Sequence, residues 1–209
     1  MSERKTAASA TEVANNPGQK PRVRERIFEA ASDLFYRQGI RAVGIDAITS
    51  GADTNKMSFY RNFSSKDELV AEYLRAHVRE YWDWWDGICA QHPEDPRQQV
   101  IDLFTAFRDE KCADEDRGCA LGNAAVEICD DSHPGRSVIT EYKHEKRERW
   151  RALARDMGAP DPDALGDALL MLQEGGHQTR LTFCGVEGPL SNIVDAAAML
   201  VRCGMDPAR

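Results

Sequence analysis

Residues 54–63, TNKMSFYRNF, decide how the N-terminal part of this chain is interpreted. The segment carries two basic residues, two asparagines and three aromatic residues, and no acidic residue. On a helix with about 100° per residue, Phe59 and Phe63 fall on one edge, and Met57 and Arg61 fall on the opposite edge. The pattern therefore predicts a short helix with one buried edge and one exposed face rich in hydrogen-bonding groups.

The predicted exposed face suits the major groove of DNA. Arg61 can bond the O6 and N7 atoms of guanine, Met57 can contact a thymine methyl group, and Tyr60 can bond a phosphate. A short helix at 44–50 and a tight turn at 51–54 precede this segment. Two short helices joined by a turn, the second carrying such a face, are typical of a helix-turn-helix.

Four motifs with fixed spacings follow one another within residues 22–75. They are an amphipathic helix that ends in F-x-x-x-G at 35–39, Ile45 and Ile48 in the second helix, FYRNF at 59–63, and S-K-x-x-L at 65–69. Together they closely resemble the DNA-binding domain of the tetracycline-repressor (TetR) family of transcriptional regulators.

The resemblance implies a role for individual residues of the N-terminal DNA-binding domain at 21–66, which we call the head. Residues matching positions that face the groove or its flanking phosphates are Lys56, Met57, Ser58, Tyr60, Arg61 and Asn62. Lys66 matches a phosphate-contacting lysine at the start of the fourth helix. Gly44 stands where many members have Thr or Ser, and Asp53 replaces a common turn glycine, although Asp tolerates the left-handed conformation.

The periodicity is helical throughout and predicts an all-α protein of about nine helices. We expect a disordered N-terminal tail at 1–20, a three-helix helix-turn-helix DNA-binding domain at 21–66, and a helical ligand-binding and dimerisation domain at 67–209. Residues 1–66 hold 11 Lys/Arg against 7 Asp/Glu, whereas the remainder holds 16 against 28. Residues 67–209, which we call the body, are therefore acidic. Because an acidic body repels a polyanion, we expect only the head to contact DNA.

The resemblance also implies how the body works. In this family the C-terminal helices dimerise and enclose a small-molecule pocket, and ligand binding shifts the separation of the two DNA-binding heads. Apolar stretches at 168–172 and 196–201 favour dimerisation through the last two helices. We therefore predict a cytoplasmic homodimeric repressor that binds a palindromic operator in double-stranded DNA and is released by a small organic effector. No apolar run is long enough to span a membrane.

Aromatic side chains with a few polar groups are typical of a pocket for an organic ligand. The fourth predicted helix places two tryptophans on its inward stripe, whereas Trp84 lies off it. The residues predicted to line the pocket are Trp82, Trp85, Phe104, Phe107, Asn123, Glu127, Tyr142 and Trp150.

A metal-binding helical bundle is the competing hypothesis. Two Glu-x-x-His pairs, Glu141 with His144 and Glu174 with His177, lie on separate predicted helices, as in carboxylate-bridged di-metal sites. Such a site also needs an inward Glu on each of two further helices, and no convincing pair is found. No nucleophile–base arrangement or phosphate-binding glycine loop is found either, so we predict no enzyme activity, no cofactor and no bound metal.

The six cysteines form no C-x-x-C motif, which argues against a thiolate zinc site. In a chain without an export signal they are more typical of small buried apolar residues. A redox switch formed by Cys112 and Cys119 is the alternative, because the nearby cations Lys111 and Arg117 favour the thiolate.

Overall fold

The computed structural model describes residues 22–110, 117–183 and 188–206. Within these ranges the chain forms nine α-helices, one 3₁₀ helix at Pro189–Asn192 and no strand, which confirms the all-α prediction. None of these helices is long and apolar enough to cross a membrane. The predicted tail at 1–20 lies outside the described residues. The helices are α1 (Val23–Gln38), α2 (Ile45–Gly51), α3 (Lys56–Asn62), α4 (Lys66–Cys89), α5 (Pro96–Asp109), α6 (Ala120–Glu127), α7 (Pro134–Asp156), α8 (Pro162–Arg180) and α9 (Ile193–Gly204).

Short polar side chains set the boundaries of the helices in the head. The Asn55 side chain accepts a hydrogen bond from the Ser58 amide at 3.0 Å, and the Ser65 hydroxyl accepts one from the Glu68 amide at 3.0 Å. Each bond satisfies an amide that the first turn of a helix leaves unpaired. Asp53 occupies the turn before α3 with a φ of 48°, in the left-handed region that Asp tolerates.

Two hydrophobic clusters hold the helices together. The first joins α1, α2 and α3 to the N-terminal half of α4, to α6 and to the start of α7. The second joins the C-terminal half of α4 to α5, α8, α9 and the end of α7. Tyr81 and Trp82, in the middle of α4, pack against both clusters. The long helices α4 and α7 therefore connect the head to the body through continuous apolar packing.

The close approach of α7 and α8 depends on Gly166. A Cβ atom at this position would lie 2.7 Å from the backbone nitrogen and Cα of Arg151. A backbone contact cannot relax by a change of rotamer, so a larger side chain would force the two helices apart.

We expect Gly166→Ala to lower the free energy of unfolding by about 1–3 kcal/mol, because the added methyl group overpacks the α7–α8 contact. The matched control is Gly87→Ala, in α4, where a Cβ would meet nothing within 4 Å. This control should raise stability by up to about 1 kcal/mol through helix propensity alone. Urea unfolding of both variants measures the difference, and equal effects would contradict the close contact.

Candidate nucleic-acid interface and ligand cavity

Helix α3 is anchored on one edge and exposed on the other. Phe59 is fully buried, and its ring lies 5.9 Å from that of Phe63. Met57 and Tyr60 are 65% and 57% exposed, and Arg61 is also exposed. The exposed edge thus presents an apolar group, a phenol and a guanidinium side by side, as the sequence pattern indicates.

The other polar residues predicted to meet DNA have partners within the head. Lys56 Nζ lies 2.8 Å from Asp46 Oδ1, and this hydrogen bond raises the pKa of Lys56. The Asn62 amide donates to the Ser58 carbonyl within α3 at 2.7 Å. Lys56 therefore links α2 to α3, and Asn62 closes the last turn of α3.

Lys66 points towards the protein rather than fully into solvent. Its Nζ donates to the Ile40 carbonyl at 2.6 Å and lies 6.0 Å from the centre of the Phe35 ring. Partial burial lowers the pKa of Lys66. One ammonium hydrogen therefore ties the start of α4 to the turn after α1, and a lysine has two further donors.

A cavity of about 260 Å³ lies between the two hydrophobic clusters. Helices α1, α4, α5, α6, α7 and α8 all contribute to its walls. Its aromatic lining consists of Tyr36, Tyr81, Trp84, Phe107 and Tyr142, and its charged or polar lining includes His77, Glu80, Glu110, Gln173, His177 and Arg180. The cavity combines flat apolar walls with a few polar groups, which is the usual form of a site for an organic molecule.

The residues predicted to line a pocket fall into three groups. Phe107 and Tyr142 line the cavity. Asn123 and Glu127 line a much smaller recess beside the end of α1. The remaining four, which line neither of these spaces among the described residues, are Trp82, Trp85, Phe104 and Trp150.

Packing of aromatic rings explains why that last group lies away from the cavity. The Trp150 ring lies 4.7 Å from that of Trp85 and 5.3 Å from that of Phe104, so all three belong to the second hydrophobic cluster. The guanidinium of Arg149 covers Trp82 at 4.0 Å. Trp84, which the sequence places off the inward stripe, faces the cavity instead.

Sequence reasoning missed the polar wall that α8 contributes. Gln173, His177 and Arg180 follow the spacing i, i+4, i+7 and continue the buried stripe that begins with Leu165 and Leu169. Polar residues on the apolar face of an amphipathic helix break the expected pattern, and they are the signal by which this wall could have been found.

Two ion pairs support this wall. Arg180 donates to Glu110 at 2.7 Å and to the Phe107 carbonyl. Lys146 is fully buried, and its Nζ lies 2.8 Å from Glu174 Oε1. Burial lowers the pKa of Lys146. Burial by itself raises the pKa of Glu174, but the nearby ammonium groups of Lys146 and Lys143 outweigh it and hold that pKa at about 2.

His177 is neutral at physiological pH. Burial, reinforced by the positive charge of Lys146, lowers its pKa to about 3. Its ring packs edge-on against Phe107 at 4.6 Å.

Residues 117–127 contact both the cavity and the head. Gly118 and Cys119 line the cavity, and the Arg117 guanidinium donates to the Arg37 carbonyl at 2.7 Å. At the other end of the segment, the Glu127 carboxylate accepts a hydrogen bond from the Arg41 amide at 2.8 Å. One short segment therefore joins the cavity wall to the end of α1.

The metal-binding hypothesis finds no support. Among the described residues, no three Asp, Glu, His or Cys side chains are grouped so that they could hold a metal ion. Glu141 and His144 are exposed on α7, while Glu174 is engaged by lysines. Cys112 lies outside the described residues, and Cys119 caps α6 by accepting a hydrogen bond from the Gly122 amide. The redox pairing of these two cysteines stays a prediction.

The buried and exposed edges of α3, presented after a tight turn from α2, define a helix-turn-helix DNA-binding protein. Residues 27–73 match the family model described as bacterial regulatory proteins, tetR family. Residues 27–73 therefore form a DNA-binding domain of the TetR family of transcriptional regulators.

Similar proteins extend the match beyond the head. SCO4454, a TetR-family regulator of Streptomyces coelicolor, superposes with a TM-score of 0.78 at 26% identity, covering 88% of this chain and 96% of that one. The transcriptional repressor NemR of Escherichia coli K12 is 24% identical over 164 residues, which are 78% of this chain and 73% of NemR. The repressor DhaR of Mycobacterium sp. strain GP1 is 22% identical over 163 residues, covering 73% of this chain and 79% of DhaR. These relatives are transcriptional regulators, and this chain is a DNA-binding regulator.

We expect Glu174→Gln to lower the free energy of unfolding at pH 7 by about 3–5 kcal/mol, because it leaves the buried Lys146 ammonium without its carboxylate. The matched control is Glu145→Gln, which breaks an i,i+4 pair with Arg149 at the surface, where the N–O distance is 3.0 Å. That change should cost less than about 1 kcal/mol. Urea unfolding of both variants measures the contrast.

The effect of Glu174→Gln should also depend on pH. The pKa of Glu174 is about 2 in the folded protein, below its ordinary 4.5, so the stabilisation is complete above pH 4.5 and is lost as the pH falls towards 2. The stability difference between the wild-type protein and this variant should therefore narrow over that window. A difference that stays constant from pH 7 to pH 3 would contradict the ion pair.

Proposed function

We propose that this regulator is a repressor that binds a palindromic operator as a homodimer and releases the DNA when a small organic ligand occupies the cavity. The observation that carries the proposal is the exposed edge of α3, where Met57, Tyr60 and Arg61 face solvent while Phe59 anchors the helix. The repressor assignment is supported by DhaR and NemR, which match this chain over most of its length.

In this proposal some residues of the head contact DNA bases and others contact phosphates. Arg61 reads a guanine, Met57 contacts a thymine methyl group and Tyr60 bonds a phosphate. Ser58 and Asn62 lie beside them on α3. Lys56 exchanges its exposed partner Asp46 for phosphate, and Lys66 uses the donors that Ile40 leaves free.

The proposed dimer forms through α8 and α9. Ala164, Ala168, Met171 and Gly175 follow one face of α8, and Met171 is 67% exposed. On α9, Met199 is exposed as well. Small residues beside an exposed methionine allow close helix–helix approach, and an isologous contact of this face would place two heads symmetrically.

The proposed effector acts through residues 117–127. This segment contributes to the cavity wall and bonds backbone groups at the end of α1 through Arg117 and Glu127. A ligand that favours a different position of the segment therefore favours a different orientation of the head, which is a shift in population between two states.

Selection of bound sequences from random DNA tests the repressor proposal directly. The expected result is a palindrome whose half-sites are centred about one helical turn, roughly 10 base pairs, apart or a multiple of it. Selection of a site without two-fold symmetry would contradict a dimer of symmetrical heads.

Arg61→Ala should weaken binding to the selected site by about 1–3 kcal/mol and relax the base preference at one position of each half-site. Arg79→Ala, an exposed arginine on α4 in the body, is the matched control and should leave the affinity within about 0.5 kcal/mol of wild type. Fluorescence anisotropy with the selected duplex and single-base variants measures both effects. An unchanged base preference in Arg61→Ala would remove this residue from base readout.

Met171→Lys should convert the dimer to a monomer, because it places a charge at the centre of the proposed apolar contact. Met57→Lys is the control, since Met57 is 65% exposed, close to the 67% of Met171, but lies in the head. Sedimentation velocity at micromolar concentration should show a dimer for the control and a monomer for Met171→Lys. A dimer in both variants would exclude this face as the interface.

A further inference from the structure

Several polar and charged side chains are buried at or behind the cavity wall, which is unusual. Among the described residues five polar or charged side chains are buried, and Lys146, Gln173 and Arg180 are three of them. Gln173 and Arg180 line the cavity, while Lys146 lies behind the Tyr81 and Tyr142 rings, 4.9 and 5.8 Å from their centres. Burying such groups costs stability unless each finds a partner, so their arrangement carries information about the ligand.

The charges around the cavity balance one another among the described residues. Arg180 pairs with Glu110, and Lys143 and Lys146 pair with Glu174. Glu80 lies at the rim, where its carboxylate is 43% exposed and contacts His77. The cavity wall and the layer directly behind it therefore hold three cationic groups and three carboxylates in total, with Glu80 placed beside His77 rather than beside one of these cations. The neutral His177 adds no charge. A charged ligand would bring an uncompensated charge into a partly desolvated space.

Two polar groups on α8 have no hydrogen-bond partner among the described residues. The Gln173 carbonyl oxygen accepts a hydrogen bond from the Tyr81 hydroxyl at 3.1 Å. Among the described residues nothing accepts from the amide hydrogens of Gln173, although this side chain is only 1% exposed. His177 Nε2, one turn further along, is buried without a partner. The wall thus offers an unfilled amide donor beside a neutral imidazole.

Other parts of the cavity wall are flat and aromatic. The Tyr81 ring lies 5.4 Å from that of Trp84 and 5.3 Å from that of Tyr142, which it meets edge-on. A volume of about 260 Å³ lies just below the range of about 300–1,000 Å³ typical of pockets for drug-sized ligands. These walls fit a small planar ring system better than a flexible chain.

We propose that the cavity selects an uncharged, planar aromatic ligand that carries one carbonyl-type hydrogen-bond acceptor, and that this acceptor meets the amide of Gln173. The proposal rests on the proposed function, in which the cavity is the effector site. Gln173 is then the residue that determines specificity, the balanced charges exclude organic ions, and the aromatic rings contribute contact area.

Four probes of nearly the same shape test the proposal by calorimetry with the full chain in the absence of DNA. They are 2-acetylnaphthalene, 2-isopropylnaphthalene, 2-naphthoate and trimethyl(2-naphthyl)ammonium. We expect the ketone to bind at least about tenfold more tightly than the hydrocarbon, which lacks the acceptor, and than either ion, which lacks a counter-charge. The proposal is overturned if either ion binds as tightly as the ketone, or if the ketone does not bind at its solubility limit.

Gln173→Leu isolates the role of the amide. This variant should lose about tenfold in affinity for the ketone and keep its affinity for the hydrocarbon, so the two probes become equivalent. Gln91→Leu, at an exposed glutamine just beyond the end of α4, is the matched control and should leave both affinities unchanged. A ketone preference that survives Gln173→Leu would assign the acceptor contact to another group.

The proposed ligand class and the proposed repressor function can be contradicted independently of each other. Binding of the probes is measured without DNA, so a wrong ligand class leaves the operator selection intact. Conversely, a failed operator selection leaves the order of probe affinities intact. If Gln173→Leu does not fold, as its thermal melting would show, the order of the four probes with the wild-type protein still decides the ligand class.

Discussion

Side chains from the start of α4 and from residues 117–127 satisfy the backbone at the end of α1, and the position of the head depends on these bonds. The last turn of a helix leaves carbonyl groups without partners inside the helix. Here Arg117 donates to the Arg37 carbonyl, Lys66 donates to the Ile40 carbonyl, and Glu127 accepts from the Arg41 amide. Together these three hydrogen bonds favour one orientation of the head relative to α4 and α6, and the half-buried bond to Ile40 would be the most costly to break. The exposed edge of α3 takes its direction from this arrangement.

The same segment that holds the head also forms part of the cavity. Residues 118–121 line the cavity, and Arg117 and Glu127 on either side of them reach α1. A displacement of the segment by a fraction of a hydrogen-bond length changes both sites together, since these bonds weaken steeply with distance and angle. Under the proposed function, this shared segment gives an organic ligand a direct physical route to the DNA-binding helix, without a separate relay through the core.

The head could be predicted from sequence because local rules determine it. The caps at Asn55 and Ser65, and the phenylalanine pair at 59 and 63, act within one or two turns of helix. The cavity could not be predicted in the same way, because its lining depends on how α4 and α8 are rotated against their neighbours. One residue step decides that Trp85 is in the core and Trp84 faces the cavity. The pattern of apolar residues separates Trp85 from Trp84, but it does not tell whether the side of α4 beside the buried stripe faces a cavity or solvent.

Partners that are distant in sequence explain the remaining differences between the sequence-based predictions and the structure. In isolation, residues 141–149 of α7 resemble a solvated charged surface, yet Lys146 within them is fully buried because Glu174 on α8 compensates its charge. Replacing a buried ion pair by apolar residues of similar volume is often neutral or stabilising, so stability alone does not account for this pair. Residues that break the sequence pattern expected of their helix or strand are concentrated at functional sites. Among the described residues, three of the five buried polar or charged side chains, Lys146, Gln173 and Arg180, lie at or directly behind the cavity wall. The cost of burying them is intelligible if the cavity has to distinguish one class of ligand from another, because neutral walls of aliphatic residues would bind any apolar molecule of the right size.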